Sequence, residues 1–132
     1  MKKTKVYLDT SVVNFLFATD SPEFMSITND FFENYVRVNI YDVLISDIVI
    51  QEINKTGSAE KKYKLLNVIK QYRLNAVVFN KEADSLSNIY IKEKIIPVNK
   101  VEDARHIALA TINNFDVLLS WNFKHLANIN KK

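Results

Sequence analysis

The chain is predicted to be an α/β protein with a central parallel sheet covered by helices on both faces, and three observations carry that expectation. Short apolar runs alternate with longer segments of helical periodicity along its 132 residues, the pattern of strands joined by right-handed helical crossovers. The first run, Val6-Tyr7-Leu8, has no break for surface polarity, as a strand buried on both faces requires. A carboxylate follows that run at Asp9 and an amide follows the last run at Asn122. In open α/β sheets the crevice outside the carboxyl ends of the strands is where ligands bind.

Composition narrows the class. With 48% apolar and 25% charged residues the chain has the balance of an ordinary soluble globular protein. No repeat, low-complexity tract or linker divides it, so residues 1–132 read as one domain. The absence of cysteine excludes a disulfide framework and a thiolate metal site. Met1-Lys2-Lys3-Thr4-Lys5 is basic, but Asp9 interrupts the apolar stretch too early for a signal peptide. No run approaches the roughly 20 apolar residues of a membrane helix, so no membrane partner and a cytoplasmic location are expected. A net charge of +3 permits a polyanionic partner without demanding one.

The elements follow in order. Ser11 to Phe17 is a helical turn or two. Asp20, Pro22 and Glu23 mark a helix start, and Phe24, Ile27, Phe31 and Tyr35 give its buried stripe. Tyr41 to Ile45 is the second strand; Ser46 caps a helix from Asp47 to about Asn54, and Gly57 closes that region. Ala59 to Tyr72 is amphipathic through Leu65, Leu66, Ile69 and Tyr72. Asn75 to Phe79 is the third strand, and a helix from about Lys81 to Lys94 turns Leu86, Ile89 and Tyr90 inward until Ile95-Ile96-Pro97 breaks it. Asn99 is expected to cap the next helix, with Glu102 in the reciprocal position and Ala104, Ile107, Ala108 and Thr111 as its buried face. Asp116 to Leu119 is the fourth strand, left by Ser120-Trp121-Asn122-Phe123.

Four oxygen-bearing residues stand out against this frame. Asp9 and Asn122 leave neighbouring strand ends if their strands pair. Glu52 lies two turns into the helix after the second strand, and Asp103 in the first turn of the helix before the fourth. Hard divalent cations such as Mg²⁺ or Mn²⁺ take a few carboxylate and amide oxygens plus waters. On its own stretch, Asp9 reads more readily as a turn former or helix cap than as a ligand.

Tyr7-Leu8-Asp9-Thr10-Ser11, Asp47 to Glu52, Glu102-Asp103-Ala104-Arg105-His106-Ile107-Ala108-Leu109-Ala110 and Leu118-Leu119-Ser120-Trp121-Asn122 occur in an order and spacing that resembles the PIN-domain nucleases, particularly the toxin ribonucleases of toxin–antitoxin pairs. The likeness spans nearly the whole chain; each motif alone is weak and the set is specific. It implies a PIN-like three-layer fold, a parallel sheet of four or five strands in the order 3-2-1-4-5. It implies an endoribonuclease dependent on Mg²⁺ or Mn²⁺, with Asp9, Glu52 and Asp103 as metal-binding and catalytic acids. Asn122 falls at a fourth metal position that is often acidic, which leaves three negative charges there. The fifth strand is expected to be short or missing, because the chain runs only from Asn122 to Lys132. The partners to look for are an RNA substrate, a cognate antitoxin and a second copy in a homodimer.

Ser11, Thr10, Arg105, His106 and Lys124 are the candidate substrate contacts. Capping explains the two hydroxyls more simply, and a structural contact explains the imidazole. Trp121 reads as packing, and His125 has no assigned role. Two other classes compete. A receiver-type signalling module needs an acidic pair at the first strand's exit and a lysine late in the sheet, and Leu8 and Ser120-Trp121-Asn122 provide neither. A catalytically weak PIN domain that binds RNA or protein is the alternative that Asn122 keeps open.

Overall fold

The computed structural model describes residues 2–122, so Lys124, His125 and any fifth strand lie outside the described residues. The sheet is all-parallel with four strands, β1 (Lys5–Leu8), β2 (Asp42–Ser46), β3 (Asn75–Val77) and β4 (Val117–Leu119), in the spatial order β3-β2-β1-β4. Six α-helices connect them: α1 (Thr10–Asn14), α2 (Pro22–Phe31), α3 (Asp47–Asn54), α4 (Ala59–Gln71), α5 (Lys81–Lys92) and α6 (Val101–Ile112). The predicted fold class is the observed one. Among the described residues no helix is long and apolar enough to cross a membrane.

β1 sits between β2 and β4, with Tyr7 opposite Leu44 on one side and Leu118 on the other. Its alternation divides the two layers. Val6 and Leu8 join Ile45, Val13, Phe32 and Leu65 in the larger core. Tyr7 points to the opposite face, against Phe115 and the His106 ring of α6. There α5 packs along α6 and a smaller cluster joins Ile48, Ala83 and Leu109.

Three predicted faces are rotated from the observed ones. On α2 the buried positions are Thr28, Phe32 and Val36, whereas Phe24, Ile27 and Tyr35 are exposed. Thr28 is buried with its hydroxyl satisfied, donating to the Phe24 carbonyl at 2.7 Å and accepting from Trp121 Nε1 at 2.9 Å. A π-helical turn at Phe32–Val36 then carries the stripe on at four-residue spacing. On α5 the buried pair is Ala83 and Ser87 while Ile89 is exposed; Ser87 Oγ donates to the Asp84 carbonyl at 2.9 Å. On α6, Thr111 is exposed and Leu109 is buried instead.

The helix ends also differ from expectation. Gly57 lies beyond α3 and has no positive φ, and α3 closes on Lys55 in a right-handed conformation. Left-handed residues instead follow four helical segments, at Asn39, Arg73, Lys94 and Asn114. The next residue's N–H returns to a carbonyl five back in each case, as from Leu74 to Ile69 and from Phe115 to Ala110, and an apolar side chain follows the turn. Asp20 is not the cap of α2: Ser21 holds that position and makes no side-chain cap bond.

The rotated α2 stripe has a direct consequence for stability. Phe32→Ala should cost about 3–5 kcal/mol in urea unfolding, the usual loss for a fully buried Phe, because Phe32 is 0% exposed. Ile27→Ala, at a residue 50% exposed, should cost far less. Equal losses would restore the original stripe.

Candidate functional site

Asp9 leaves β1 with an extended backbone (φ −81°, ψ 176°) at the N-cap position of α1, yet its carboxylate makes no cap hydrogen bond. It turns to Ser11, whose Oγ donates to Oδ1 at 2.5 Å. The same Ser11 oxygen accepts from Trp121 N at 2.8 Å and lies 3.5 Å from Ser120 Oγ, which accepts from Asn122 N at 2.9 Å. Asp9 N donates to the Leu119 carbonyl at 3.3 Å. The exits of β1 and β4 are thereby laced together. Asp9 is only 4% exposed. Burial pushes its carboxyl above the usual carboxylate range, against the opposing pull of the Ser11 and Ser120 hydroxyls.

Glu52 reaches the same place from α3. Ser46 caps that helix as expected, accepting from Val49 N at 3.4 Å, and the packing of α3 brings Glu52 beside α1 and α6. Thr10 Oγ1 donates to Glu52 Oε1, and His106 Nε2 lies 3.1 Å from the same oxygen. Burial raises the Glu52 carboxyl, but the His106 and Thr10 contacts prevail and hold it below its ordinary range.

α6 begins differently from expectation. A 3₁₀ turn at Val98–Lys100 leads straight into it, Lys100 occupies the N-cap, and no side chain caps it. Released from the capping role, Glu102 pairs with Arg105 at 3.0 Å and also lies against Glu52. Arg105 rests over the Phe79 ring, 4.6 Å from its centroid. His106, 5% exposed, bonds through Nδ1 to Tyr7 Oη at 2.6 Å, and Tyr7 Oη meets Ser46 Oγ at 2.8 Å. Burial drives the Tyr7 phenol well above its ordinary value, so it stays neutral.

These pieces converge. Asp9, Glu52, Glu102, Asp103, His106 and Asn122 line one open cleft of about 490 Å³, at the carboxyl edge of the sheet. The chain matches no protein-family model and no curated protein. All four residues expected at the metal positions therefore face the same space. Thr10 and Ser11, expected to touch substrate, line the cleft too but have their hydroxyls on Glu52 and Asp9. Arg105 is engaged by Glu102 and Phe79, and Lys124 lies outside the described residues.

Several members of the site, Asn14 among them, were not singled out from the sequence. Glu102 restores a fourth carboxylate where Asn122 had seemed to leave three. Lys55 and Phe15 line the cleft, one cationic and one aromatic. Tyr7 reads as a plain core residue, and only its partners reveal a polar role. An acid next to Asp103 was visible; its direction depended on a cap that does not form.

The donor set suits a hard divalent cation, being carboxylate and amide oxygens without sulfur. Among the described residues no three acidic or imidazole side chains stand close enough together to hold a metal ion as the structure stands.

The raised Asp9 carboxyl fixes a sign. Above its folded-state pKa the group is charged in both states and the fold carries the desolvation cost; as the pH falls through that value, the cost is relieved. Asp9→Asn, still able to accept from Ser11, should therefore unfold in urea at a concentration no lower than wild type without divalent cation. Ser11→Ala removes the hydrogen bonds that Ser11 Oγ gives to Asp9 and takes from Trp121 N, and should lose about 1–3 kcal/mol. A comparable loss in Asp9→Asn would make Asp9 a structural residue.

Proposed function

We propose that the chain is a divalent-metal-dependent endoribonuclease that hydrolyses RNA phosphodiester bonds. One observation carries this reading: four separate segments deliver Asp9, Glu52, Asp103 and Asn122 into one cleft at the carboxyl edge of a parallel sheet, where Asp9 is buried and its carboxyl is held above the ordinary range. Carboxylates gathered in this way are costly. A polyanion would be repelled from such a cleft unless a cation bridged the two.

Asp9, Glu52 and Asp103 would hold Mg²⁺ or Mn²⁺, with Asn122 offering a neutral fourth oxygen. The ion, when bound, supplies positive charge to polarise the phosphate and to lower the pKa of an attacking water. The chain's own residues do the rest. Ser11 and Thr10 fix the rotamers of Asp9 and Glu52, so little reorganisation remains when substrate arrives. Lys55 at the cleft supplies a cation for a flanking phosphate, and Phe15 offers a face on which an unstacked base can rest. A role as toxin, an antitoxin partner and a homodimer follow from the resemblance alone.

A second reading, RNA or protein binding without cleavage, rests on Asn122 in place of an acid. Glu102 weakens it by returning a negative charge to the cleft.

Incubation with structured RNAs decides between the two. Cleavage should need Mg²⁺ or Mn²⁺, stop with chelator, and fall by about 100-fold or more in Asp103→Asn, the scale on which positioned catalytic groups act. Cleavage surviving both treatments would remove the mechanism. RNA bound but never cut, with any of these ions, would favour the binding module.

Melting gives an independent check. A metal at 100 times its Kd should add about 2.7 kcal/mol of stability to wild type, and much less to Asp9→Asn. Equal responses would remove Asp9 from the ligand set.

Salt tests the substrate contact. Binding of single-stranded RNA should weaken with a log–log slope of roughly −0.7 per neutralised phosphate, and Lys55→Ala should flatten it by about that amount. An unchanged slope would take Lys55 out of the interface.

A further inference from the structure

We propose that Ser46, Tyr7 and His106 form a one-way hydrogen-bond chain that fixes the imidazole with its proton on Nε2 as a donor to Glu52, making His106 a positioning residue. The geometry is continuous: Val49 N to Ser46 Oγ at 3.4 Å, Ser46 Oγ to Tyr7 Oη at 2.8 Å, Tyr7 Oη to His106 Nδ1 at 2.6 Å, and His106 Nε2 to Glu52 Oε1 at 3.1 Å. Ser46 and Tyr7 are both 0% exposed, so water does not complete their bonding.

Counting protons fixes the direction. With Ser46 donating to Tyr7, and Tyr7 to Nδ1, the imidazole carries its proton on Nε2 and donates it to the carboxylate. Every donor then has an acceptor. Reversed, Nδ1–H donates to Tyr7 and Tyr7 to Ser46, which already accepts from Val49 N–H. The Ser46 proton is left without an acceptor among the hydrogen bonds of the described residues, and a buried unsatisfied group of this kind is costly. A neutral imidazole in that orientation would also set the Nε2 lone pair against the Glu52 carboxylate.

The lock has a functional consequence. Nδ1 is occupied by Tyr7 and Nε2–H by Glu52, so His106 has no lone pair to offer a substrate proton. Thr10 and His106 both donate to Oε1, so Oε2 is the oxygen that neither holds. Two donors on one oxygen fix the rotamer of Glu52 at the cleft. This is the work of an outer-shell partner, whose loss usually costs roughly 10–100-fold in metal affinity or activity.

The tautomer stands on hydrogen bonds alone; its catalytic effect rests on the nuclease reading. Two experiments on the full chain keep them apart. Long-range nitrogen–proton NMR on ¹⁵N-labelled protein at neutral pH should find the His106 proton on Nε2 with Nδ1 bare, and Tyr7→Phe should erode that preference. A proton on Nδ1, or on both nitrogens, overturns the proposal whether or not the protein cuts RNA.

In cleavage assays His106→Gln, which keeps an amide donor near the Nε2 position, should stay within about tenfold of wild-type kcat. His106→Asn, too short to reach Glu52, should lose roughly 10–100-fold with KM little changed. Equal and near-complete loss in both folded variants would make the imidazole a proton carrier and overturn the positioning role.

Discussion

A phenol buried at the centre of a sheet must find partners inside the protein, and much of this molecule is arranged around that requirement. Tyr7 is on the middle strand pair, wholly enclosed, with its ring packed against Phe115 and its hydroxyl beyond reach of water. An unsatisfied hydroxyl there would cost 1–3 kcal/mol or more. The partners come from the end of β2, where Ser46 also caps α3, and from α6, where His106 turns inward one helical turn after Asp103. Satisfying one buried oxygen therefore fixes how α3 and α6 sit over the sheet. Both helices carry acids of the cleft, so the core's polar bookkeeping sets the site's geometry.

The other anchor is Ser11. One hydroxyl donates to Asp9 and accepts from the backbone after β4, so the acid and the β4 exit are positioned together. That economy matters because the cleft is electrostatically uphill. Asp9 is disfavoured by burial, and Glu52 is held ionised only through its two donors. Asp9, whose burial opposes its own ionisation, is unlike a member of a structural network, in which each charge has a partner of opposite sign. Natural proteins place such locally unfavourable groups where function needs them.

Much of the fold was legible because its strands and helices obey two clear periods. The unbroken Val6-Tyr7-Leu8 run announced a strand buried on both faces, Ser46 announced the start of α3, and Asp9 and Asn122 were already at strand ends. What periodicity misread were residues whose polarity is hidden. Thr28 and Ser87 count as polar in a pattern, yet each turns its hydroxyl onto its own helix and is buried. The stripes of α2 and α5 rotate accordingly. Helix ends misled for a related reason: with one glycine in the chain, the left-handed turns fell to Asn, Arg and Lys, at a conformational cost that the apolar residue after each turn helps to offset. For the cleft, residue type pointed to the acids, but only three-dimensional packing shows that Glu52 and Asp103 share it, that Glu102 joins them, and that Tyr7 has a polar task.

The balance of charge at the cleft also bears on how substrate approaches. The chain is only mildly basic overall, and its cleft is acidic, so long-range attraction contributes little to capture of a polyanion. On the proposed nuclease reading, discrimination would then come at short range, from a cation held by the acids and from the few groups able to face a flanking nucleotide. Lys55 and Phe15 are suited to that, one meeting a phosphate and the other a base, and neither reads sequence through base edges. A base can lie flat on Phe15 only if it has left its own stack. If the cleft is that of the proposed nuclease, it would favour single-stranded or loop segments over regular duplex, and specificity would reside in which bases are easily unstacked beside the cut.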